Sequence, residues 1–205
     1  MKLILLPLLV VSYLSAAQPL EQFNEDRTLT DKRLMIGLGS WATANFIASG
    51  IGWATISEGE AHYFHQMNVL WNTVNLGLAI PGYLKAKKGS HDLTLEETKK
   101  AQRKTENIFL INTGLDAVYV TSGFMLRGLA KQDFTKKEQY NGFGNGIILQ
   151  GGFLLFFDLT AYAIHKHHAS NSLNKTEKTI EMSSSGLGLK WHLGAKPFSE
   201  KQVFL

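Results

Sequence analysis

Four stretches of the chain hold almost no charged residues, and each is long enough for a helix that crosses a membrane. Residues 34–57 and 61–84 each run 24 residues without Asp, Glu, Lys or Arg. Residues 107–126 hold one acid, Asp116, and residues 139–157 hold none. Because about 20 predominantly apolar residues span the hydrocarbon core, the pattern predicts an all-α, polytopic membrane protein with a bundle of four transmembrane helices.

The N-terminus follows the pattern of a secretory signal peptide. Lys2 precedes 12 apolar or small residues from Leu3 to Leu14, and further small residues follow through Ala17. A helix of that length extends about 18 Å, short of the roughly 30 Å hydrocarbon layer, so we expect cleavage after Ala17. The predicted organisation is a signal peptide at 1–17, a polar segment at 18–29, a four-helix domain at 30–168 and a polar tail at 169–205 that could hold a short strand.

A Ser or Thr followed three residues later by Glu predicts where three helices begin. Such a pair satisfies two backbone N–H groups at a helix N-terminus. It occurs at Ser57 and Glu60, at Thr94 and Glu97, and at Thr135 and Glu138. We expect Thr30 to cap the first helix and Gly89 to end the second.

Composition and charge narrow the class of partner. The chain has no Cys, which excludes a disulfide framework, thiolate metal sites and a cysteine nucleophile. The net charge of +4 comes from Lys and Arg that cluster between the apolar runs, so a lipid bilayer explains it better than nucleic acid. Besides the bilayer, the chain could bind copies of itself in a homo-oligomer or a membrane partner protein.

A soluble four-helix bundle is the competing architecture. The mean hydropathy of −0.06 favours it, although that average includes a polar loop and a polar tail. A soluble bundle needs charges on its outer faces, and residues 34–57 and 61–84 offer none. The local apolar runs therefore outweigh the mean.

The two signals for orientation conflict. A working signal peptide places the loop between the second and third helices outside the cell, together with the tail. That loop carries seven Lys or Arg between Lys85 and Lys104, and positively charged loops favour the cytoplasm. We prefer the orientation set by the signal peptide, since the first translocated segment usually constrains the rest.

Polar and small residues recur at helical spacing on one face of each run. The face of the second run includes Asn72 and Asn75, and the fourth run repeats Gly144, Gly151 and Asp158 at steps of seven. In lipid, such faces hold helices together without any further function. We expect six of these side chains to form a cluster near the bilayer centre: Asn45, Asn72, Asn75, Asn112, Asp116 and Asp158.

The two carboxylates carry the leading functional hypothesis. An Asp near the bilayer centre costs roughly 2.5–3.5 kcal/mol on insertion scales and turns toward a partner or a cavity. Two close carboxylates, Asp116 and Asp158, would suit binding or permeation of a small solute, a proton or a cation. The alternative is a non-catalytic membrane subunit or scaffold whose Asn, Gly and Asp residues only pack helices.

A metal-binding membrane enzyme is the third hypothesis. Glu58, His62 and His65 are spaced so that all three follow one face at the start of the second helix, and imidazole and carboxylate groups bind divalent ions. No cofactor other than such a metal is expected, and no nucleophile with an adjacent base is visible. The sequence therefore indicates no catalytic residue and leans away from an enzyme.

Three segments carry a resemblance to a known family. They are GSWATANFIASGIGWA at 39–54, EAHYFHQMNVLWNTVNLGLA at 60–79 and QGGFLLFFD at 150–158. In these segments the chain resembles an uncharacterised family of bacterial multi-pass membrane proteins found mainly in the Bacteroidota. The resemblance implies an envelope protein with four helices, which we expect in the inner membrane, and it supplies no catalytic residue.

Overall fold

Four long helices make up nearly all of the described chain. The computed structural model describes residues 5–89, 93–173, 175 and 178, and the side chains from Leu20 onward. The helices are α1 (Leu5–Thr55), α2 (Gly59–Lys88), α3 (Leu95–Leu129) and α4 (Lys137–His168), and a π-helical turn, Ala169–Leu173, follows α4. The expected all-α fold with four helices is confirmed.

The helices pack as two antiparallel pairs. α1 lies against α2 and α3 lies against α4, and α2 and α4 join the two pairs. The outer helices α1 and α3 meet over a short stretch near their N-terminal halves, where Asn24 of α1 hydrogen-bonds Thr98 of α3. The bundle therefore has α2 and α4 at its centre and α1 and α3 on its flanks.

The helix termini confirm two of the expected signals. Thr94 caps α3, since its hydroxyl accepts from the backbone N–H of Glu97 while the Glu97 carboxylate accepts from the N–H of Thr94. Gly89 ends α2 in a positive-φ conformation, φ 72°, which glycine adopts without strain. Both positions match the sequence prediction.

The expected caps at the other two connections are wrong. α2 begins at Gly59 after Glu58, with no side-chain cap, because α1 runs to Thr55 and leaves only three residues to reverse the chain. α4 begins at Lys137 with no side-chain cap. The backbone N–H of Thr135, which the Glu138 carboxylate was expected to accept, donates to the Asp133 carboxylate, and so does the N–H of Lys136.

The first helix begins earlier than predicted. α1 is continuous through Thr30, whose hydroxyl donates to the carbonyl of Asp26 one turn back, so Thr30 lies inside the helix and is not its cap. Residues 1–4 and the alternating segment at 187–193 lie outside the described part of the chain. The signal peptide at 1–17, whose described residues are helical, stays a prediction.

Among the residues that the structure describes, three helices, and not four, are long and apolar enough to cross a membrane. They lie in residues 20–55, 95–129 and 137–173. The second helix falls short because its buried face is built from Asn68, Asn72 and Asn75, which lower its mean hydropathy. Its outer face is nevertheless apolar, and Val74 and Leu78 are about as exposed as the outer residues of its neighbours.

Burial within the described residues is the reverse of the pattern in water-soluble proteins. The largest fully buried side chains include Asn68, Gln102, Gln150 and His165. Large apolar side chains face outward on every helix, among them Ile47, Ile51, Val74, Ile111 and Phe156. Extended exposed apolar surface marks contact with a membrane or another protein, so the burial pattern is consistent with a membrane location and weighs against the soluble bundle.

Close backbone approach joins α3 to α4 at a pair of glycines. A Cβ placed on Gly123 would lie 2.7 Å from the carbonyl oxygen of Gly144, and a Cβ on Gly144 would lie 2.7 Å from the carbonyl oxygen of Gly123. The obstacle is backbone, which cannot swing aside as a long side chain can. Small residues at such crossings let helices pack in lipid without a hydrophobic driving force.

We predict that Gly144→Ala destabilises the folded protein. The added methyl group has to push α3 and α4 apart, and overpacking of this kind costs about 1–3 kcal/mol. Gly128→Ala in α3 is the matched control, since a Cβ there meets nothing within 4 Å. Thermal unfolding in detergent should show a lower midpoint for Gly144→Ala and an unchanged or higher one for Gly128→Ala, and equal midpoints would contradict the close crossing.

Candidate functional site

Two acids of neighbouring helices meet inside the bundle. Asp116 of α3 is 3% exposed and Asp158 of α4 is 5% exposed, and their side chains lie close enough to interact. Oδ2 of Asp116 has no hydrogen-bond partner among the described residues. Because two carboxylates in contact cannot both be charged in an apolar surrounding, one proton shared by the pair is the arrangement that this geometry favours.

The spacing of α4 places Asp158 against α3. Gly144, Gly151, Asp158 and His165 are buried at steps of seven along this helix. A Cβ on Gly151 would lie 3.2 Å from Tyr119 and Val120 of α3, so this face of α4 lies on α3 along its length. Asp116 occupies the corresponding inward position of α3.

A chain of amide groups links three helices on the other side of α4. The indole N–H of Trp41 in α1 donates to Oε1 of Gln150 at 3.0 Å, and Nε2 of Gln150 donates to Oδ1 of Asn68 in α2. Asn72 donates to the backbone carbonyl of Asn68, and Asn75 donates to Asn72 at 3.3 Å. We call these five residues the amide network; each has its polar group bound within the protein.

The structure therefore divides the six predicted site residues. Asp116 and Asp158 form a carboxyl pair between α3 and α4, whereas Asn72 and Asn75 belong to the amide network between α2 and its neighbours. Asn45 is half-buried and donates to the Trp41 carbonyl of its own helix at 2.9 Å. Asn112 is half-buried on α3, one turn before Asp116.

The residues proposed for a metal do not converge. Nδ1 of His62 lies 2.6 Å from the backbone carbonyl of Ile56, and the His65 ring packs beside Gly52 of α1. Glu58 is exposed at the start of α2. Within the described residues, no three His, Asp or Glu side chains lie close enough to hold a metal ion together.

A second group of buried polar residues lies where α1, α3 and α4 extend beyond their apolar runs. Asn24 donates to Thr98 at 2.8 Å, and Gln102 of α3 donates both to Glu106 and to the backbone carbonyl of His165, each at 2.9 Å. This end cluster joins three helices through polar contacts. It consists of Asn24, Arg27, Asp31, Thr98, Gln102, Glu106, His165 and His168.

Charges of both signs meet in the end cluster. Asp31 lies between Arg27 and His165: its carboxylate is 3.1 Å from Nε2 of His165 and 4.0 Å from the guanidinium of Arg27. Glu106 is bridged to Lys166 at 3.4 Å. Nδ1 of His165, Oε1 of Gln102 and Nε of Arg27 are buried without a hydrogen-bond partner among the described residues.

Two apolar layers border the end cluster. His168 stacks flat on Phe23, with ring centroids 4.5 Å apart. His165 stacks on Phe109 with centroids 5.6 Å apart, and Phe109 lies two helical turns before Asp116 on the same face of α3. Phe109 and the fully buried Ala161 therefore separate the end cluster from the carboxyl pair.

The sequence held a signal for the end cluster that was interpreted otherwise. Thr98, Gln102 and Glu106 follow one another at steps of four, and Asn24, Arg27 and Asp31 at steps of three and four, which places each set on one helix face. Both sets lie before the apolar run of their own helix, at 34–57 and 107–126, so the apolar runs gave them no place inside the bundle. The inward faces of both extensions were missed.

Two shallow clefts on the surface do not reach the carboxyl pair. One lies along α4 beside Thr30 and has a volume of about 740 Å³, and its lining includes Phe156, Thr160 and His168. The other follows the outer, basic face of α3 and includes Lys100 and Arg103. Asp116 and Asp158 line neither of them.

A family of unknown function, DUF6992, matches residues 37–159. The match covers more than half of the 205 residues. The chain belongs to this family. Its matched segment includes the carboxyl pair and the amide network, whereas Asp31 and His165 of the end cluster lie outside it. No curated protein and no solved structure matches the chain.

We predict that Gln150→Ala loosens the junction of α1, α2 and α4. The substitution removes the partner that Trp41 and Asn68 share, so the half-buried indole of Trp41 and the buried amide of Asn68 each lose a hydrogen bond. Interhelical hydrogen bonds in membranes contribute about 0.6–2 kcal/mol each, so the unfolding midpoint should fall measurably. Gln132→Ala, in the exposed α3–α4 connection, is the control; equal midpoints for the two variants would exclude a stabilising role for the network.

Proposed function

We propose that this protein is a multi-pass membrane protein that binds and exchanges a proton at the Asp116–Asp158 pair. One observation carries the proposal: two buried carboxyl groups from neighbouring helices lie close enough to interact, inside helices that are apolar enough to cross a membrane. A structural pair would be served as well by amides, which bind each other without any charge to neutralise. The amide network of the same protein is an example.

A proton fits the site better than a larger solute or a metal cation. The pair offers carboxyl oxygens from two residues, whereas cation sites in proteins usually gather more oxygen ligands. Asn72 and Asn75, which were expected to complete a wider binding site, have their amides engaged with each other and with Asn68. The surface clefts also lie away from the pair.

We further propose that the protein lies in a bacterial inner membrane, with all four helices in the bilayer. α2 would cross with its Asn-rich face toward α1 and α4 and its apolar face toward lipid, which the exposure of Val74 and Leu78 supports. A signal peptide at 1–17 would place the end cluster on the outer side. The basic residues of the α2–α3 connection favour the opposite orientation.

A scaffold function is the second candidate. The glycine crossing of α3 and α4 and the closed amide network favour it, because both features bind helices to one another without leaving a free group. In that case the carboxyl pair would be a further interhelical hydrogen bond, and a homo-oligomer or a membrane partner protein would use the apolar outer faces. The two functions differ in whether the proton of the pair exchanges.

We predict that the purified protein in lipid shows an infrared C=O stretch from a protonated carboxyl group. The band should diminish reversibly as the pH rises, because the shared proton is then released while the protein stays folded. Asp116→Asn and Asp158→Asn should each shift the band, and the double variant should lose it. Glu138→Gln, an exposed acid at the start of α4, should leave it unchanged.

Two results would contradict proton binding at this pair. One is the absence of any carboxyl band that depends on Asp116 and Asp158. The other is a carboxyl band that depends on both acids but neither responds to pH nor exchanges with deuterium, together with a lower unfolding midpoint for the double variant. A scaffold would give this second result.

A further inference from the structure

We infer that the end cluster, through His165 and Asp31, is the route by which protons reach the Asp116–Asp158 pair. This inference rests on the proposed function, since it identifies where the proton of the carboxyl pair exchanges with water. It assigns a positioning and transfer role to residues outside the segment that matches the family.

The first step of the argument is an asymmetry between the two ends of the α3–α4 interface. On the side of the pair away from the end cluster, Gly151 packs on Tyr119 and Val120, and beyond it Gly123 and Gly144 bring the two backbones into contact. On the other side, the same helix faces carry Glu106, Gln102 and His165. Toward the end cluster the interface continues with Glu106 and His165, and in the other direction it continues with close-packed glycines beside Tyr119 and Arg127.

The second step is the geometry of His165. Its ring is fully buried; Nε2 lies 3.1 Å from the Asp31 carboxylate without a well-directed hydrogen bond, and Nδ1 has no hydrogen-bond partner among the described residues. An imidazole binds a proton on one nitrogen and releases one from the other, and its charge changes near neutral pH. A buried imidazole with one nitrogen on a carboxylate and one free nitrogen is arranged for such a transfer.

Charged groups from each neighbouring helix face this ring. α1 supplies Asp31 and Arg27, α3 supplies Glu106 through the shared amide of Gln102, and α4 itself supplies Lys166, which is paired with Glu106, and His168. Asp26 of α1 interacts electrostatically with His168. The Asp31 carboxylate, 3.1 Å from Nε2, is the group that would balance the charge of a proton gained by the ring.

The last step is the gap between His165 and the carboxyl pair. Asp158 and His165 are seven residues apart on α4, a rise of about 10 Å, and Phe109 and Ala161 fill the space. A proton crosses this distance only when water enters beside Phe109. His165 then gives its proton to a water molecule, the water passes a proton to one carboxylate of the pair, and the imidazole takes a new proton from the side of Asp31.

The test is the rate at which the infrared C=O band of the carboxyl pair shifts when the protein in liposomes is transferred into D₂O. We expect His165→Gln to slow this exchange at least tenfold, because glutamine keeps a polar side chain and cannot titrate. His167→Gln, two residues along α4 on an exposed position, should exchange at the wild-type rate. Asp31→Asn provides a second variant with the same expected slowing, should His165→Gln fail to fold.

Phe109 gives the opposite prediction. Phe109→Ala opens the space between the end cluster and the pair, so exchange should become faster than in the wild type. Phe156→Ala, at an exposed position of α4, is its control and should change nothing.

The outcomes separate the inference from the proposed function. Suppose that the wild type shows the band and that folded His165→Gln and folded Asp31→Asn both exchange it at the wild-type rate. This result would overturn the route through the end cluster and leave proton binding at the pair intact. The absence of a carboxyl band that depends on Asp116 and Asp158 would overturn the proposed function itself.

Discussion

A polar group inside a lipid-embedded bundle has to find its partner within the protein, because hydrocarbon offers neither donors nor acceptors. Lipid tails are also as apolar as leucine, so helices gain nothing by burying leucine against leucine. Both constraints favour the arrangement in this chain, in which Gln150 joins Trp41 to Asn68 and Gly123 meets Gly144 backbone to backbone. The apolar side chains are left for the outer surface.

The same constraint explains why α2 lies at the centre of the bundle and is nevertheless not apolar enough to count among the membrane-spanning helices. The buried face of α2 carries Asn68, Asn72 and Asn75, whereas the buried face of the other central helix, α4, carries four glycines. It also explains why the carboxyl pair differs from the rest. The amides bind one another as neutral groups, whereas Asp116 and Asp158 need a proton before they can do the same.

The sequence predicted the helices better than it predicted how their polar residues are grouped. Apolar runs and the Thr94 cap located the helices, and the seven-residue repeat through Asp158 identified the inner face of α4. Periodicity assigns a residue to a face but does not say which neighbour that face meets. Gln150 and Gly151 are adjacent in sequence, yet one contacts α1 and α2 and the other contacts α3, so one expected cluster became two. The end cluster could not be predicted from apolar runs, because its residues lie on polar extensions of the same helices.

If α2 crosses the bilayer as proposed, its amides face inward and its apolar residues face lipid. Since the chain has no Cys, single spin labels can be attached to Val74→Cys and Asn75→Cys in liposomes and their collisions with oxygen and with a water-soluble nickel chelate compared. A membrane-spanning α2 predicts that the label at position 74 collides often with oxygen and rarely with the nickel chelate. The label at position 75 should collide rarely with either reagent. Frequent collisions with the nickel chelate at position 74 would place α2 in water and contradict the proposal that α2 crosses the bilayer.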